Sequence, residues 1–285
     1  MSTADQYRVL GHPVAHSKSP QIHARFAELT GQRIAYDRQE VPLDAFAATL
    51  DFLRATGVKG CNVTLPFKAE AFEYARRHGR VSPRAELALA CNFLDFAGGA
   101  VYADNTDGIG LVRDLREHAG CELAGRDILI IGAGGAAAGC LAPFIEAGPK
   151  RIAIANRSPE KAQTLVARHF PLSRDHAVEL GAYGLQDIPG SFHIVVNASA
   201  SSLAGVAAPV DAHVLAPQAL AVDLMYGPAS QGFTAWARQH GATARDGLGM
   251  LVEQAAVAFE AWRGVRPDSA RVLAELQAEL AVHPA

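Results

Sequence analysis

Hydrophobic and polar positions alternate over the first third of the chain in a strand–helix–strand–helix–strand order. Short apolar runs of strand length stand at residues 7–11, 34–41 and 58–65. Between them, apolar positions recur at helical spacing over residues 19–31 and 43–57. Ser19, which a proline follows, is expected to cap the first helix. This βαβαβ succession predicts a sheet that is mainly parallel.

The rest of the chain continues the alternation and then ends in helices alone. Strands are predicted at residues 88–96, 127–131, 151–157, 192–199 and 219–226, and helices at 108–120, 248–264 and 267–280. Because the last two helices are too short for a domain, we expect them to pack back on the first one. The predicted fold class is therefore α/β in two domains, residues 1–105 plus 247–285 and residues 106–246.

Composition narrows the classes of function. Of 285 residues, 49% are hydrophobic and 19% charged, which is enough apolar material for a full core. The net charge of −3 gives no sign of the basic surface that nucleic-acid binders need. Neither a leader nor a membrane span is predicted, and four widely spaced cysteines indicate reduced thiols in a cytoplasmic protein. The histidines are scattered, so no metal site is predicted.

A glycine-rich turn follows the strand predicted at residues 127–131. It matches G-x-G-x-x-[GA] between a strand and a helix, and it consists of Gly132, Ala133, Gly134, Gly135 and Ala136, with Ala137 after it. The first glycine permits the tight turn, and the second lets the backbone approach a pyrophosphate at the helix N-terminus. The second domain is therefore predicted to be a Rossmann-type domain that binds a dinucleotide.

The end of the next predicted strand indicates which dinucleotide is bound. NAD sites usually place an acid there for the ribose 2′-hydroxyl. This chain has no acid there, but Asn156, Arg157 and Ser158, with Lys161 close behind. A guanidinium can pair with a 2′-phosphate, and a lysine adds charge. A solvated basic loop would carry the same residues, but their place beside the ribose favours NADP over NAD.

Polar residues stand in the first domain at points where a purely structural role is a weak explanation. They are Ser17 and Ser19 after the first strand, Asn62 and Thr64 about the third, Asn92 in the fourth, and Asp104 and Asp107 in the run ADNTDG. Capping by Ser19 and Asp107, a solvated strand face and a backbone-bonded Asn92 are the structural alternatives. A crevice at the carboxyl edge of the sheet would gather the same side chains around a ligand.

Lys68 stands early in the helix predicted after the run NVTLP. A cation at a helix N-terminus opposes the helix dipole, at a cost of about 0.3–1 kcal/mol. That position is a disadvantage for a surface lysine, but it suits a lysine that exchanges a proton with a ligand.

Six runs of the sequence occur together and in a fixed order: SKSPQIH, NVTLPFK, DNTDGIG, GAGGAA, NRS and GLGMLVEQAA. The set resembles the shikimate dehydrogenase family over nearly the whole chain. The resemblance implies two α/β domains that flank a cleft, and NADP-dependent interconversion of shikimate and 3-dehydroshikimate. It leaves a monomer or a homodimer open, with a small molecule as partner.

The resemblance also implies roles for single residues. Lys68 and Asp104 would be the catalytic pair, with Lys68 acting on the reacting hydroxyl and Asp104 orienting both lysine and substrate. Asp107 matches a further acid of the same turn. The substrate would be bound by Ser17, Ser19, Asn62, Thr64, Asn92, Tyr226 and Gln254. The cofactor would be bound by the glycine turn, by the basic strand end, and by Ala198, Ser199, Met225, Gly247 and Met250.

Three positions depart from the family pattern. Phe93 replaces a threonine after Asn92, which bears on substrate selectivity. Ala138 replaces an arginine, and Ala200 replaces a serine, which bear on NADP affinity. Two other functions are kept as alternatives: a paralogue that acts on quinate or an aminated shikimate, and a catalytically silent NADP-binding sensor.

Overall fold

The computed structural model describes residues 4–199, 201–202 and 208–282. The chain folds as two compact units. The first comprises Met1–Gly110 and Leu251–Glu275, and the second comprises Leu111–Met250 and Leu276–Ala285. Relative to the domain limits expected from the sequence, the divisions fall after Gly110 and Met250, and the final residues group with the second unit.

The first unit begins with the strand–helix alternation that the apolar pattern predicts. Its strands are β1 Asp5–Gly11, β2 Ile34–Glu40, β3 Gly60–Val63, β4 Gly79–Val81, β5 Phe93–Asp95 and β6 Val101–Asp104. Its helices are α1 Ser19–Thr30, α2 Phe46–Ala55, α3 Lys68–His78 and α4 Pro83–Ala88. The succession β1-α1-β2-α2-β3 confirms the predicted βαβαβ order.

The sheet of the first unit is mixed. β1 lies between β2 and β3 and is parallel to both. β5 runs antiparallel to β3 and to β6, and β4 pairs in parallel with β6. Among the described residues the sheet has six strands in the order β2-β1-β3-β5-β6-β4. The expected parallel part is thus β2-β1-β3, and the β5–β6 pair extends it in the antiparallel sense.

The second unit is a parallel sheet covered by helices. Its strands are β7 Asp127–Ile131, β8 Arg151–Asn156, β9 Glu179–Gly184, β10 Phe192–Asn197, β11 Leu215–Asp223 and β12 Thr243–Arg245. The helices, after α5 Asp107–Arg113 and a π-helical turn at Asp114–His118, are α6 Gly135–Glu146, α7 Pro159–Asp175 and α8 Gln231–Gln239. The order β12-β11-β10-β7-β8-β9, parallel throughout, is that of a Rossmann fold.

Two helices follow the last strand, as predicted: α9 Leu248–Arg263 and α10 Ser269–Val282. Aromatic residues of α9 pack on the first unit. The Phe259 ring centroid lies 5.6 Å from that of Phe26, and the Trp262 centroid lies 4.5 Å from that of Tyr7. The expectation that the C-terminal helices pack back on the first domain is confirmed for α9 at these contacts, whereas the end of α10 groups with the second unit.

Three details of the predicted elements are wrong. Lys18 precedes α1 without a side-chain capping bond, and Ser19 is the first helical residue rather than the cap. Asp107 is likewise the first residue of α5. The strand predicted at residues 88–96 is reduced to β5, because helix α4, which the Ser82 hydroxyl caps, ends only at Ala88.

Two further expectations from the sequence concern reduced cysteines and membrane-spanning helices. All four cysteines lie in the described ranges and are free thiols. Burial raises the pKa of Cys61 and of Cys91, so both stay protonated at neutral pH. Among the described residues, no helix has both the length and the apolar character needed to cross a bilayer.

His23 lies on α1 among aromatic rings and within hydrogen-bond reach of Asn62. Its ring is fully buried and stacks on Tyr36, with centroids 4.1 Å apart and planes 5° from parallel. The Trp262 centroid lies 5.6 Å away. Burial lowers the pKa of His23 from 6.5 to about 3, so the imidazole is neutral at pH 7.

This burial predicts a loss of stability in acid. Below pH 6.5 the unfolded chain binds a proton at His23 that the folded chain does not bind until about pH 3. The folded state therefore loses up to about 1.4 kcal/mol per pH unit as the pH falls through that window. Replacing His23 by Phe keeps a ring on Tyr36 and removes the titration. Urea unfolding at about pH 7 and about pH 5 should show a pH effect about 2 kcal/mol larger in the parent than in His23→Phe. Equal pH effects in the two proteins would contradict the assignment.

Candidate active site

The ends of β3, β5 and β6 meet at one edge of the first unit's sheet. In the strand register, Asn62 lies opposite Phe93, and Phe93 lies opposite Asp104. Because β5 runs antiparallel to both neighbours, its first residue stands beside the last residues of the other two strands. Asn62, Asn92 and the segment 104–107 therefore come close together at this edge.

Lys68 reaches this edge from the first turn of α3. Its Nζ lies 2.5 Å from Oδ2 of Asp107, the first residue of α5. The two side chains are only 18% and 7% exposed, so water screens the pair weakly. A helix N-terminus favours the aspartate and disfavours the lysine, and the ion pair offsets the second effect.

The predicted contact between Asp104 and Lys68 is wrong. Oδ1 of Asp104 accepts hydrogen bonds from the Ser82 hydroxyl at 2.5 Å and from the Asn105 N–H at 2.7 Å. Oδ2 forms an ion pair with Arg84. Ser82 and Arg84 belong to the start of α4, a helix that is not among the elements expected from the periodicity of apolar residues. Asp104 therefore ties the end of β6 to α4.

Asn92 is held between Asp107 and Thr106. Its Nδ2 donates to Oδ1 of Asp107 at 2.7 Å and to Oγ1 of Thr106 at 2.9 Å. Its Oδ1 accepts from the Thr106 N–H at 2.7 Å. Gln254 of α9 lies beside them, with Oε1 3.3 Å from Nδ2 of Asn92. The Asp107 carboxylate thus contacts Lys68 through one oxygen and an amide through the other.

Three more of the predicted substrate ligands are linked through Tyr36: Asn62 and Ser19 bond to its hydroxyl, and Ser17 bonds to Ser19. Asn62 accepts from the Tyr36 hydroxyl at 2.7 Å and donates to the Asn92 carbonyl at 3.2 Å. Ser19 also bonds to Tyr36, and its hydroxyl lies 3.2 Å from that of Ser17. Burial raises the pKa of Tyr36 well above its usual value, so its hydroxyl stays protonated and donates to Asn62.

The remaining two predicted substrate ligands, Thr64 and Tyr226, each have their own surroundings. Thr64 follows β3, is half-buried, and places its methyl group against Gly11. Its N–H donates to the Leu10 carbonyl at 2.9 Å. Tyr226 belongs to the second unit, where it is half-buried directly before a 3-10 turn at Gly227–Ser230.

The three departures from the family pattern have different surroundings. Phe93 is buried and stacks on Trp262 with ring centroids 5.0 Å apart, so its ring belongs to the aromatic core. Ala138 is buried in α6. Ala200 lies outside the described residues.

The glycine turn of the second unit joins β7 to α6. Gly132 has a φ of +112°, and a Cβ there would lie 2.9 Å from the Ala198 carbonyl oxygen. Both facts require glycine. Gly134 precedes α6 without a side-chain cap, and a Cβ on Gly134 or Gly135 would meet open space. The unsatisfied N–H groups of the first helical turn and the open space before them fit a pyrophosphate.

The basic strand end lies after β8. Asn156 is the last residue of this strand, and its side-chain amide donates to the Ser158 carbonyl at 2.9 Å. Arg157 and Lys161 are exposed. Within the described ranges neither of them forms an ion pair. Two positive charges are therefore available at the strand end where a 2′-phosphate is expected.

A buried carboxylate holds the loops that follow β10 and β11. Oδ2 of Asp223 accepts from Nδ2 of Asn197 at 3.0 Å and from the Ser202 hydroxyl. Oδ1 accepts from the Met225 N–H at 2.8 Å. The Ser199 hydroxyl in turn donates to Oδ1 of Asn197 at 2.7 Å. Burial raises the pKa of Asp223, and these hydrogen bonds oppose that rise.

The other predicted cofactor residues of the second unit lie at the same ends of the strands. The Ala198 N–H donates to the Ile131 carbonyl at 2.8 Å, which places Ala198 beside the end of β7. The Gly247 N–H donates to the Met225 carbonyl at 2.9 Å. Met250 is buried in the first turn of α9.

Several residues that hold the site are not among those predicted from the sequence. Asn105 and Thr106 lie in ADNTDG between the two acids, and both are buried. Asp223 has a signal, because a charged residue at the end of a buried apolar strand needs partners. Ser82 followed by a proline is a helix-start signal that predicts α4 and hence the true partner of Asp104. Tyr36, in the middle of β2, has no comparable signal.

The surroundings of Asp104 predict a structural role. Asp104→Asn removes the charge that Arg84 faces and places an amide hydrogen near other donors. The free energy of unfolding should fall by about 1–3 kcal/mol. The exposed Asp44 provides the matched control, and Asp44→Asn should change it by less than about 0.5 kcal/mol. Urea unfolding measures both variants, and an unchanged stability in Asp104→Asn would refute this role.

Comparison with known proteins agrees with this geometry. The profile described as "Shikimate dehydrogenase substrate binding domain" matches residues 9–94, "Shikimate / quinate 5-dehydrogenase" matches 114–224, and "Shikimate 5'-dehydrogenase C-terminal domain" matches 247–277. A protein of Verminephrobacter eiseniae named "Shikimate dehydrogenase (NADP(+))" is 58% identical over 99% of this chain and 97% of its own. A protein of Acidovorax sp. with the same name is 56% identical over 98% of both chains.

Solved structures give the same result. The Ael1 enzyme from Pseudomonas putida superposes with a TM-score of 0.87 at 45% identity, covering 96% of this chain and 98% of the other. The shikimate 5-dehydrogenase of Thermus thermophilus, solved in complex with shikimate, has a TM-score of 0.81 at 31% identity, covering 97% and 99%. With these similarities over nearly its full length, the chain belongs to the shikimate dehydrogenase family.

Proposed function

We propose that this protein catalyses the reversible, NADP-dependent reduction of 3-dehydroshikimate to shikimate. The observation that carries the proposal is the shielded Lys68–Asp107 pair, at a sheet edge where hydroxyl and amide side chains gather. The relatives named NADP-dependent shikimate dehydrogenases share more than half of its residues over nearly the whole chain, which supports the same assignment.

The reaction couples a hydride transfer to a proton transfer at the oxygen of a secondary alcohol. When bound, the nicotinamide of NADP supplies the hydride acceptor or donor. In the direction of reduction, the Lys68 ammonium donates its proton to the oxygen, and in the reverse direction the amine takes it back. Asp107 holds Nζ in place and balances its charge while the oxygen becomes negative.

The substrate is a carboxylate with several hydroxyls, so its site needs hydrogen-bonding partners more than apolar walls. We assign this task to Ser17, Ser19, Asn62, Thr64, Asn92, Gln254 and Tyr226. The bond from Tyr36 orients the Asn62 amide before substrate binds. The side-chain amide of Asn92 donates to the Asp107 carboxylate and lies at the sheet edge where the substrate would bind. An analogue without one of the hydroxyls would leave such groups unpaired and would bind less tightly.

The cofactor is assigned to the domain that spans residues 106–246, and the substrate to residues 1–105 with 247–285. The glycine turn, from Gly132 to Ala136, would hold the pyrophosphate. Asn156, Arg157, Ser158 and Lys161 would surround the 2′-phosphate. The nicotinamide end would be contacted by Ala198, Ser199, Met225, Gly247 and Met250. Asp223 would keep the Met225 backbone in place for this contact.

The cellular location and the oligomeric state are proposed from the sequence. We propose a cytoplasmic enzyme that works as a monomer or a homodimer on a small molecule. Size-exclusion chromatography with light scattering decides between the two oligomeric states.

Steady-state kinetics with shikimate and quinate, each with NADP⁺ and NAD⁺, test the proposed function. The value of kcat/KM should be highest for shikimate with NADP⁺. Comparable efficiency on quinate would overturn the substrate assignment, and a preference for NAD⁺ would overturn the cofactor assignment. A folded protein without turnover on any pair would instead be a nucleotide-binding sensor.

Removal of the basic strand end should change cofactor preference. Arg157→Ala, alone or with Lys161→Ala, should raise the Kd for NADP⁺ about 10- to 100-fold, because a charge-assisted phosphate contact is lost. The Kd for NAD⁺, which lacks the phosphate, should change by less than about twofold. The control is Arg174→Ala at the far end of α7, where the side chain is 72% exposed. Equal losses for the two nucleotides, measured by calorimetry, would show that Arg157 does not contact the 2′-phosphate.

A further inference from the structure

Asn105 and Thr106 are buried between the end of β6 and the first residue of α5. They are 0% and 1% exposed, so neither presents a surface to a substrate. Asn105 nevertheless bonds to Asp107, and Thr106 bonds to Asn92, which itself contacts Asp107. Their effect on a reaction would therefore pass through Asp107.

The Thr106 N–H determines which end of the Asn92 amide faces Asp107. An N–H group only donates, so the atom 2.7 Å from it must be Oδ1 of Asn92. Nδ2 of Asn92 is then left facing Oδ1 of Asp107, at 2.7 Å. A flipped amide would place two oxygens against each other at this contact.

The Thr106 hydroxyl binds the same amide a second time. Oγ1 lies 2.9 Å from Nδ2 of Asn92, 3.2 Å from Oδ1 of the same amide and 3.5 Å from Oε1 of Gln254. A hydroxyl can accept from Nδ2 and donate to one of the two oxygens, whereas a methyl group can do neither. Of the three acceptors around Nδ2, Oδ1 of Asp107 at 2.7 Å and the Thr106 hydroxyl at 2.9 Å are nearer than Oε1 of Gln254 at 3.3 Å. The two amide hydrogens are therefore directed to the hydroxyl and to Asp107.

Asn105 fixes the backbone of the same aspartate. Its Oδ1 accepts from the Asp107 N–H at 3.1 Å, and its Nδ2 donates to the Ala90 carbonyl at 3.0 Å. The backbone of Asp107 is thus held by Asn105, while Asn92 and Lys68 hold the two oxygens of its carboxylate.

We propose that Thr106 is a positioning residue for the Lys68–Asp107 pair and that it acts through the side-chain amide of Asn92. Because Asn92 binds one carboxylate oxygen and Lys68 the other, the direction of the first contact sets the direction of the second. The effect on turnover rests on the proposed function, whereas the effect on Lys68 itself can be measured without any turnover.

The first test compares Thr106→Val, which removes the hydroxyl at nearly constant volume, with Thr106→Ser, which keeps it. In Thr106→Val, kcat with shikimate and NADP⁺ should fall about 10- to 100-fold, while KM for NADP⁺ stays within about twofold. Thr106→Ser should restore kcat to within about threefold of the parent. The control, Thr234→Val, removes another buried hydroxyl, which bonds the Gln231 carbonyl in α8, and should leave kcat unchanged.

The second test measures how well Lys68 is held in place. Trinitrobenzenesulfonate labels free amines, and mass spectrometry gives the rate at each lysine, with the exposed Lys59 as internal reference. The rate at Lys68 relative to Lys59 should rise about three- to tenfold in Thr106→Val, because a loosened pair exposes the amine. It should return to the parent value in Thr106→Ser.

The outcomes separate this inference from the proposed function. A folded Thr106→Val with parental kcat and parental labelling would overturn the positioning role, as would a Thr106→Ser as impaired as Thr106→Val. A parent that lacks shikimate turnover, together with raised Lys68 labelling in Thr106→Val, would reject the proposed function and support the positioning role. If Thr106→Val does not fold, Thr106→Ala takes its place with the same expectations.

Discussion

The ion pair between Lys68 and Asp107 is the interaction on which the polar edge of the first unit depends. Two helices, α3 and α5, begin at this edge and present like dipole ends, which attract the aspartate and repel the lysine. The pair is shielded from water, so loss of either partner would leave a poorly solvated charge behind. The Asn92 amide donates to the other oxygen of the carboxylate and keeps the carboxylate in one orientation.

The second unit uses the same physical device for another purpose. There the carboxylate of Asp223 accepts from the amide of Asn197, as Asp107 accepts from Asn92 in the first unit. In both places a buried amide–carboxylate contact fixes loops at the ends of strands, where backbone groups lack partners in the sheet. The contact in the first unit holds a proton-transfer pair, and the one in the second unit holds the Met225 segment. Rigid loops on a rigid sheet can hold reacting groups in a productive geometry.

The sequence predicts the fold well, because period and motif order are local properties. The parallel strands, the glycine turn at Gly132 and the place of Lys68 in the first turn of α3 follow from such local patterns. The partner of Lys68 does not, because Asp104 and Asp107 lie three residues apart and spacing alone cannot tell which one faces it. That choice depends on α4, whose Ser82 and Arg84 bind Asp104.

The roles of Phe93 and Thr106 also exceed what a pattern can show. From its place after Asn92, Phe93 is expected to affect the substrate, but in the fold its ring packs on Trp262 of α9. Thr106 is inconspicuous between two acids, and its importance comes only from the folded distances to Asn92. Both roles depend on contacts between residues that are far apart in the sequence, and spacing along the chain does not reveal such contacts.

The central claim, that Lys68 works with Asp107, is tested most directly by two double-mutant cycles on kcat/KM with shikimate and NADP⁺. One cycle combines Lys68→Met with Asp107→Asn, and the other combines Lys68→Met with Asp104→Asn. The account predicts that the first pair departs from additivity by more than about tenfold, because the two groups act as one unit. It also predicts that the second pair is additive to within about twofold. Strong coupling of Lys68 to Asp104, together with additivity between Lys68 and Asp107, would contradict the account.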